Sequence, residues 1–232
     1  MSRLLIVLAF IPLVAFAGGG VALLDKAPDK SADMGALQNG ARLYVDYCLG
    51  CHSVSHLRYG RLRDIGLSEA QIIGNSQSPG GKQREPMHSA DARLSVGSVA
   101  PDLSLITRAR SSELGSGADW LYTYLRSFYR DENRPTGWNN SVVENTGMPH
   151  VLWELQGELV MDDNQGLKLV KPGRPKPEEY DTIVSDLTAF LSYAAEPAAS
   201  DRKWWGYVVL VGLSVFLVLA YALKREFWKD IH

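Results

Sequence analysis

Cys48-Leu49-Gly50-Cys51-His52 holds both cysteines of this 232-residue chain and one of its five histidines. Two thiols three residues apart, followed at once by an imidazole, form the c-type haem attachment pattern. Thiols on adjacent turns can form thioethers with the porphyrin vinyl groups, and a histidine beneath the ring can ligate the iron. One short segment supplies all three groups. A structural zinc site would need four ligands, with a second Cys or His pair at comparable spacing, and none follows. A thioredoxin-like redox pair would sit in a βαβ pattern, which the flanking sequence lacks. With both thiols committed to haem c, no cysteine remains for a disulfide, and the macrocycle becomes the domain's cross-link.

The two ends of the chain set its topology. Arg3 precedes an apolar run over residues 4–17 that closes on Ala15-Phe16-Ala17 and Gly18-Gly19-Gly20, the form of a cleavable secretory signal. A retained anchor helix is the alternative, although the run falls short of the roughly 20 residues of a full span. Residues 205–223 are continuously apolar and uncharged, long enough to cross a bilayer. Trp204, Trp205 and Tyr207 start that segment as interfacial aromatics, while Lys224, Arg225 and Lys229 follow it and belong in the cytoplasm. The expected organisation is a signal at 1–17, an exported domain at 18–203, a transmembrane helix at 204–224 and a cytoplasmic tail at 225–232. The domain then stands in the periplasm, held to the inner membrane through lipid contact of the tail helix, and is large enough for one core. A net charge of −2 points to no nucleic-acid partner. Two acidic stretches stand out, one with Glu154, Glu158, Asp162 and Asp163, the other with Glu178, Glu179, Asp181 and Asp186. Each reads as a solvated face or as a docking surface for a basic partner.

From Gly35 onward, Leu37, Ala41, Tyr44 and Cys48 follow helical spacing, so a helix delivers the first cysteine at its C-terminal end. A second helix is predicted after Pro177, with Ile183, Leu187, Phe190, Leu191 and Ala194 on one face and Glu196-Pro197 as its stop. A third is expected over residues 119–129, with Leu121, Leu125 and Phe128 in register. Residues 158–170 suit a short hairpin about Asp162-Asp163-Asn164. Loops at 74–100, 110–117 and 131–146 are long for a packed domain unless a ligand organises them, and haem supplies such a nucleus.

His52 leaves one axial position on the iron, and its occupant separates a carrier from a catalyst. Met148 is the best candidate, within Asn145-Thr146-Gly147-Met148-Pro149, where glycine permits close backbone approach and proline directs the following chain. Met34 precedes the first helix, and Met87 and Met161 lie in polar stretches; His150 or His88 offers a bis-imidazole alternative. His56 reads as a surface or propionate-side group, and His232 as the terminus. Haem propionates are anions that need a partner when buried, for which Arg108 and Arg110 are candidates, unless both are exposed.

Several motifs together resemble the cytochrome c1 family, the haem c subunits of quinol–cytochrome c oxidoreductase, the cytochrome bc1 complex. They are Gly40-Ala41-Arg42-Leu43-Tyr44 before the Cys48 motif, Pro101-Asp102-Leu103-Ser104 followed by Arg108-Ala109-Arg110, Gly147-Met148-Pro149, and Ala194-Ala195-Glu196-Pro197 leading to Arg202 and the anchor. The resemblance spans essentially the whole chain. It implies that His52 and Met148 ligate the iron, Arg110 pairs with a propionate, Trp120 stands beside the haem and Pro101 belongs to its wall. It also implies a mainly α, class I cytochrome c-like domain with long loop insertions, in which the Gly40 and Tyr44 face of the first helix meets the Phe190 face of the last. The implied role is relay of one electron from the Rieske iron–sulfur subunit to a cytochrome c acceptor. Cytochrome b would be a further partner, in a dimeric complex, and the chain itself would carry no catalytic residue. Two departures stand out: Ala100 occupies a position where many members have proline, and the cysteine pair with which some bacterial relatives stiffen the methionine loop is absent. The rival readings are a free-standing anchored cytochrome c, and a haem sensor or peroxidase with a labile iron site.

Overall fold

Asp33 opens the first helix by accepting a hydrogen bond from the Ala36 N–H at 3.0 Å, and the chain then winds as α1 (Met34–Tyr47) to its cap at Cys48. The computed structural model describes residues 24–75, 86–87 and 100–230. The signal expected at 1–17, together with His88 and His232, lies outside them. After α1 come β1 (Val54–Arg58), a 3₁₀ turn (Tyr59–Ile65), α2 (Glu69–Asn75) and β2 (Pro86–Met87), which pairs antiparallel with β1. Next follow α3 (Ile106–Ala109), α4 (Gly117–Arg126), β3 (Phe128–Arg130), β4 (Trp138–Asn140), α5 (Trp153–Gln156), β5 (Gly157–Met161) and β6 (Leu167–Pro172). The chain closes with α6 (Pro177–Ala195) and α7 (Ala199–Trp228). The strands form three separate two-stranded antiparallel ribbons, so the helices carry the architecture.

The expected crossing of the first and last domain helices is the centre of the fold. A Cβ at Gly40 would stand 2.1 Å from the Asp186 carbonyl oxygen and 2.7 Å from Phe190 Cβ, so only glycine lets α1 and α6 touch here. One turn on, the fully buried rings of Tyr44 and Phe190 meet with centroids 5.8 Å apart. Leu37, Ala41, Val184, Leu187 and Leu191 fill the rest of the seam. Pro177 fits the first turn of α6, where no N–H is needed, and Glu178 and Glu179 place negative charge at its positive end.

The third helix is shorter than the periodicity suggested. It begins at the capping box formed by Ser116 and Asp119 and ends at Arg126, because Phe128-Tyr129-Arg130 leave as β3 to pair with β4. The Asn140 side chain, arriving on β4, donates to the Tyr124 carbonyl at 2.8 Å and satisfies one of the helix's terminal acceptors. Phe128 still reaches the core from the strand. The hairpin expected near Asp162 is present as β5 and β6, with the Asp162 carboxylate accepting from the N–H groups of Asn164 and Gly166 at 2.9 and 2.6 Å.

Residues 100–105 carry no regular structure, yet side-chain hydrogen bonds fasten them to β1. Asp102 accepts from Ser55 N–H at 2.9 Å, Ser55 Oγ at 2.6 Å and Ser104 N–H at 2.8 Å. The Leu103 N–H adds a bond to the Ser53 carbonyl at 2.8 Å. Beyond α6, Glu196 pairs with both Arg108 and Arg202 and so ties the domain to α7. Within α7, Asp201–Trp228 is long and apolar enough to cross a membrane, its most apolar stretch having a mean hydropathy of 2.3 and no burial against the described residues.

Two outcomes are expected from this packing. Gly40→Ala should lower stability by more than about 2 kcal/mol, since backbone cannot move aside as a flexible side chain would; a thermal midpoint equal to wild type would contradict the crossing. Burial alone would raise the Asp102 carboxyl, but bonds from Ser104 and Ser55 outweigh it and hold the group at about 2 against the usual 3.8. Its contribution is therefore complete above the unfolded-chain value and drains away as pH falls towards the folded-state value. In denaturant titrations Asp102→Asn should lag wild type at neutral pH by no more than about 1 kcal/mol, since the carboxyl is mostly solvent-screened. The gap should close in acid, and a gap independent of pH would contradict the assignment.

Candidate functional site

The turn after α1 brings the attachment motif onto the wall of a cavity. Cys48 N–H donates to the Tyr44 carbonyl at 2.9 Å, and the N–H groups of Cys51 and His52 donate to the Cys48 carbonyl at 3.0 and 2.8 Å. Both thiols thereby lie on one tight turn, and neither is in a disulfide. Burial, with a smaller push from Cys51, drives the Cys48 thiol up to about 12. A redox-active CxxC pair needs the opposite shift, towards a stable thiolate.

His52 is held at two points. Its carbonyl accepts from the buried Tyr44 hydroxyl at 2.7 Å, and its Nδ1 lies 2.7 Å from the Pro101 carbonyl oxygen. A carbonyl can only accept, so Nδ1 carries the proton and Nε2 keeps its lone pair for a metal. Asp102, by fastening its loop to β1, keeps the Pro101 carbonyl in place.

The cavity measures about 500 Å³, inside the range of roughly 300–1,000 Å³ typical of cofactor and ligand sites. Its lining includes Cys48, Cys51, His52, Pro101, Arg110, Trp120 and Met148, together with Leu121, Leu125, Leu187 and Leu191. All seven residues expected to contact the cofactor therefore gather at one apolar hollow bounded by α1, the 100–106 loop, α4, the methionine loop and α6. Two thiols and an imidazole lie on one wall, a thioether on the methionine loop and a guanidinium on the 106–110 segment. That donor set and that apolar lining fit a haem. Among the described residues, no group of three or more His, Cys, Asp and Glu could hold a bare metal ion.

The alternatives whose side chains are described are placed elsewhere. Met34 is exposed at the start of α1 and Met161 lies on the β5 ribbon. His150 is buried but does not line the cavity; it stacks on Phe128 at 4.7 Å and meets the edge of Trp138 at 4.8 Å. Burial lowers its pKa to about 3, so it is a neutral core ring. His56 is exposed on β1. Arg108, offered beside Arg110 as a propionate partner, is spent on Glu196, whereas Arg110 lies over the Trp120 ring at 4.5 Å and borders the cavity.

Most carboxylates of the two acidic stretches have partners within the chain. Glu154 pairs with Arg174 at 2.6 Å, Glu158 with Arg130 and Lys171 at 3.0 Å each, Asp181 with Arg126 at 2.6 Å and Asp186 with Lys30 at 2.7 Å. Glu179 accepts from the Lys176 N–H at 3.0 Å, and Asp162 closes its hairpin. Hydrogen bonds from Arg130 and Lys171 hold the Glu158 carboxyl at about 2. These groups answer charges and donors within the chain.

Sequence reasoning missed Tyr124. Its ring stacks on Trp120 with centroids 4.9 Å apart, and its hydroxyl lies 3.0 Å from Thr146 Oγ1 and 3.5 Å from Met148 Sδ. The spacing from Trp120 was the available signal, since residues four apart share a helix face. Burial raises its pKa, so the phenol keeps its proton at neutral pH.

Comparison with known proteins agrees with this geometry. The family model described as "Cytochrome C1 family" matches residues 25–85 and 82–231. A protein of Nitrosomonas europaea named "Ammonia monooxygenase gamma subunit" is 44% identical over 234 residues, covering 99% of this chain and 97% of its own length. "Cytochrome c1" of Allochromatium vinosum is 42% identical over 249 residues, covering 99% of this chain and all of its own. The mitochondrial "Cytochrome b-c1 complex catalytic subunit" of Candida albicans is 28% identical over 220 residues, covering 86% and 73% of the two chains. With a single cavity holding the attachment motif and the expected methionine, and a family match running from residue 25 to 231, the chain belongs to the cytochrome c1 family.

Proposed function

We propose that this chain is the membrane-anchored electron-relay subunit of a quinol–cytochrome c oxidoreductase, with haem c bound by Cys48 and Cys51 and ligated by His52 and Met148. The observation that carries the reading is the one apolar cavity lined by all four. When bound, the haem supplies a one-electron iron couple. The chain's own residues attach it, orient it and keep water away. Cys48 and Cys51 fix the ring's edge, and His52, with Nδ1 committed to Pro101, offers Nε2 in a set direction. Met148 would hold the metal through a soft sulfur, which favours its reduced state. Arg110, already braced against Trp120, would pair its cation with a haem propionate. Leucines of α4 and α6 exclude solvent, which suits electron passage without atom transfer.

Residues 1–17 act as a signal, 18–203 form the periplasmic haem domain, 204–224 cross the inner membrane and 225–232 stay in the cytoplasm. Lys224, Arg225 and Lys229 after the span support that orientation. Electrons arrive from the Rieske subunit beside cytochrome b, within a dimeric complex, and leave to a cytochrome c. No organic substrate is turned over by the chain itself. Purification in mild detergent should recover cytochrome b and Rieske subunits with it; recovery alone, or in a monooxygenase assembly as the name of the Nitrosomonas relative implies for that protein, would overturn this placement.

The ligand assignment has its own test. Met148→Leu should leave the haem attached, lower its reduction potential and open the iron to carbon monoxide. If the ferric sulfur-to-iron charge-transfer band survives the substitution, the ligand lies elsewhere.

A further inference from the structure

The loop that carries Met148 is braced at its stem. Asn140 Oδ1 accepts from the N–H groups of Val142 and Val143 at 2.9 and 3.1 Å, and Asn139 Oδ1 accepts from Asn145 N–H at 2.8 Å. Arg134 donates to the Asn145 carbonyl at 2.9 Å and to its side chain at 3.0 Å. None of these bonds reaches the methionine side chain, which turns about three bonds and is among the most adaptable of residues. No cysteine remains to staple the loop. Among the described residues, the one hydrogen bond to the Met148 sulfur comes from Tyr124.

We propose that Tyr124 is a positioning residue for the Met148 thioether, its hydroxyl donating to the sulfur and so tuning the iron couple; the inference rests on Met148 as an axial ligand. A thioether sulfur has two lone pairs, so one can face a metal while the other accepts a hydrogen bond. The phenol has a single proton and two neighbours. Thr146 Oγ1, 3.0 Å away, can donate to the phenol oxygen, leaving the phenol proton for Met148 Sδ at 3.5 Å. Donors arranged in series polarise one another. The phenol itself cannot swing aside: its ring stacks on Trp120 at 4.9 Å and meets Phe128 edge-on at 5.1 Å, and its carbonyl is held by Asn140. A hydrogen bond draws electron density from the sulfur, which weakens its donation to ferric iron more than to ferrous iron. The bond therefore raises the reduction potential while it limits the sulfur's rotamers.

The test uses the full anchored chain with its haem, in detergent. Tyr124→Phe keeps the ring contacts and removes only the hydroxyl. It should retain the thioether charge-transfer band, lower the midpoint potential and speed carbon monoxide binding to the ferrous protein several-fold. Thr146→Val leaves the phenol with only the sulfur to bond, so its potential should stay above that of Tyr124→Phe. An equal fall in both variants would assign the effect to loop packing and overturn the proposal. If Met148→Leu loses the band while Tyr124→Phe keeps the wild-type potential, Met148 is the ligand and the proposal alone fails. If Met148→Leu keeps the band, the ligand assignment fails and the proposal falls with it.

Discussion

Where α1 and α6 cross, backbone meets side chain and backbone with room at Gly40 for a hydrogen alone, a Cβ there lying 2.1 Å from the Asp186 oxygen. That contact sets the distance between the two helices, and both feed the cavity. Two turns beyond Gly40, α1 ends at Cys48 and the chain tightens to present Cys51 and His52. On the other side of the crossing, α6 offers Leu187 and Leu191. An added methyl at Gly40 would push apart the attachment turn and the apolar wall opposite it. Asp186 binds the seam further, taking Lys30 and Asn39 at 2.7 Å each.

Around that frame, irregular segments carry much of the chemistry, and side-chain hydrogen bonds replace regular structure in holding them. Asp102 fastens the loop that aims the Pro101 carbonyl at His52. Asn139, Asn140 and Arg134 fold the stem of the methionine loop, and Tyr124 reaches its sulfur. Each such bond contributes only about 1 kcal/mol, but several on one short stem restrict it together. This is how the loop holds Met148 at the cavity wall without a disulfide.

The attachment motif, α1, α6, the β5–β6 hairpin and the apolar tail were legible because each is a local signal: a spacing, a periodicity, a turn pair or a long uncharged run. The end of α4 was not. Phe128 keeps helical register with Leu121 and Leu125, and only the distant partner strand at residues 138–140 pulls it into β3. Met148 stood out by its loop setting and Arg108 and Arg110 by their charge, whereas Trp120 and Pro101 came through family resemblance, since nothing local marks them. The choice between Arg108 and Arg110 needed Glu196, 88 residues from Arg108. The ion pairs within the charge runs were hidden for the same reason. Glu154, Glu158, Asp181 and Asp186 look like a free acidic surface in sequence, but the arginines and lysines that answer them lie far along the chain.

The central claim is that the Cys48–His52 turn holds a covalent haem in the cavity between α1, α4 and α6. A pyridine haemochrome spectrum of the purified full chain tests it most directly, combined with acid–acetone extraction. The account predicts one haem per chain, with the α-band position of a porphyrin saturated at both vinyls, and a pigment that stays with the protein on extraction. A haem that extracts into acetone, or a purified chain with no haem absorption, would contradict it.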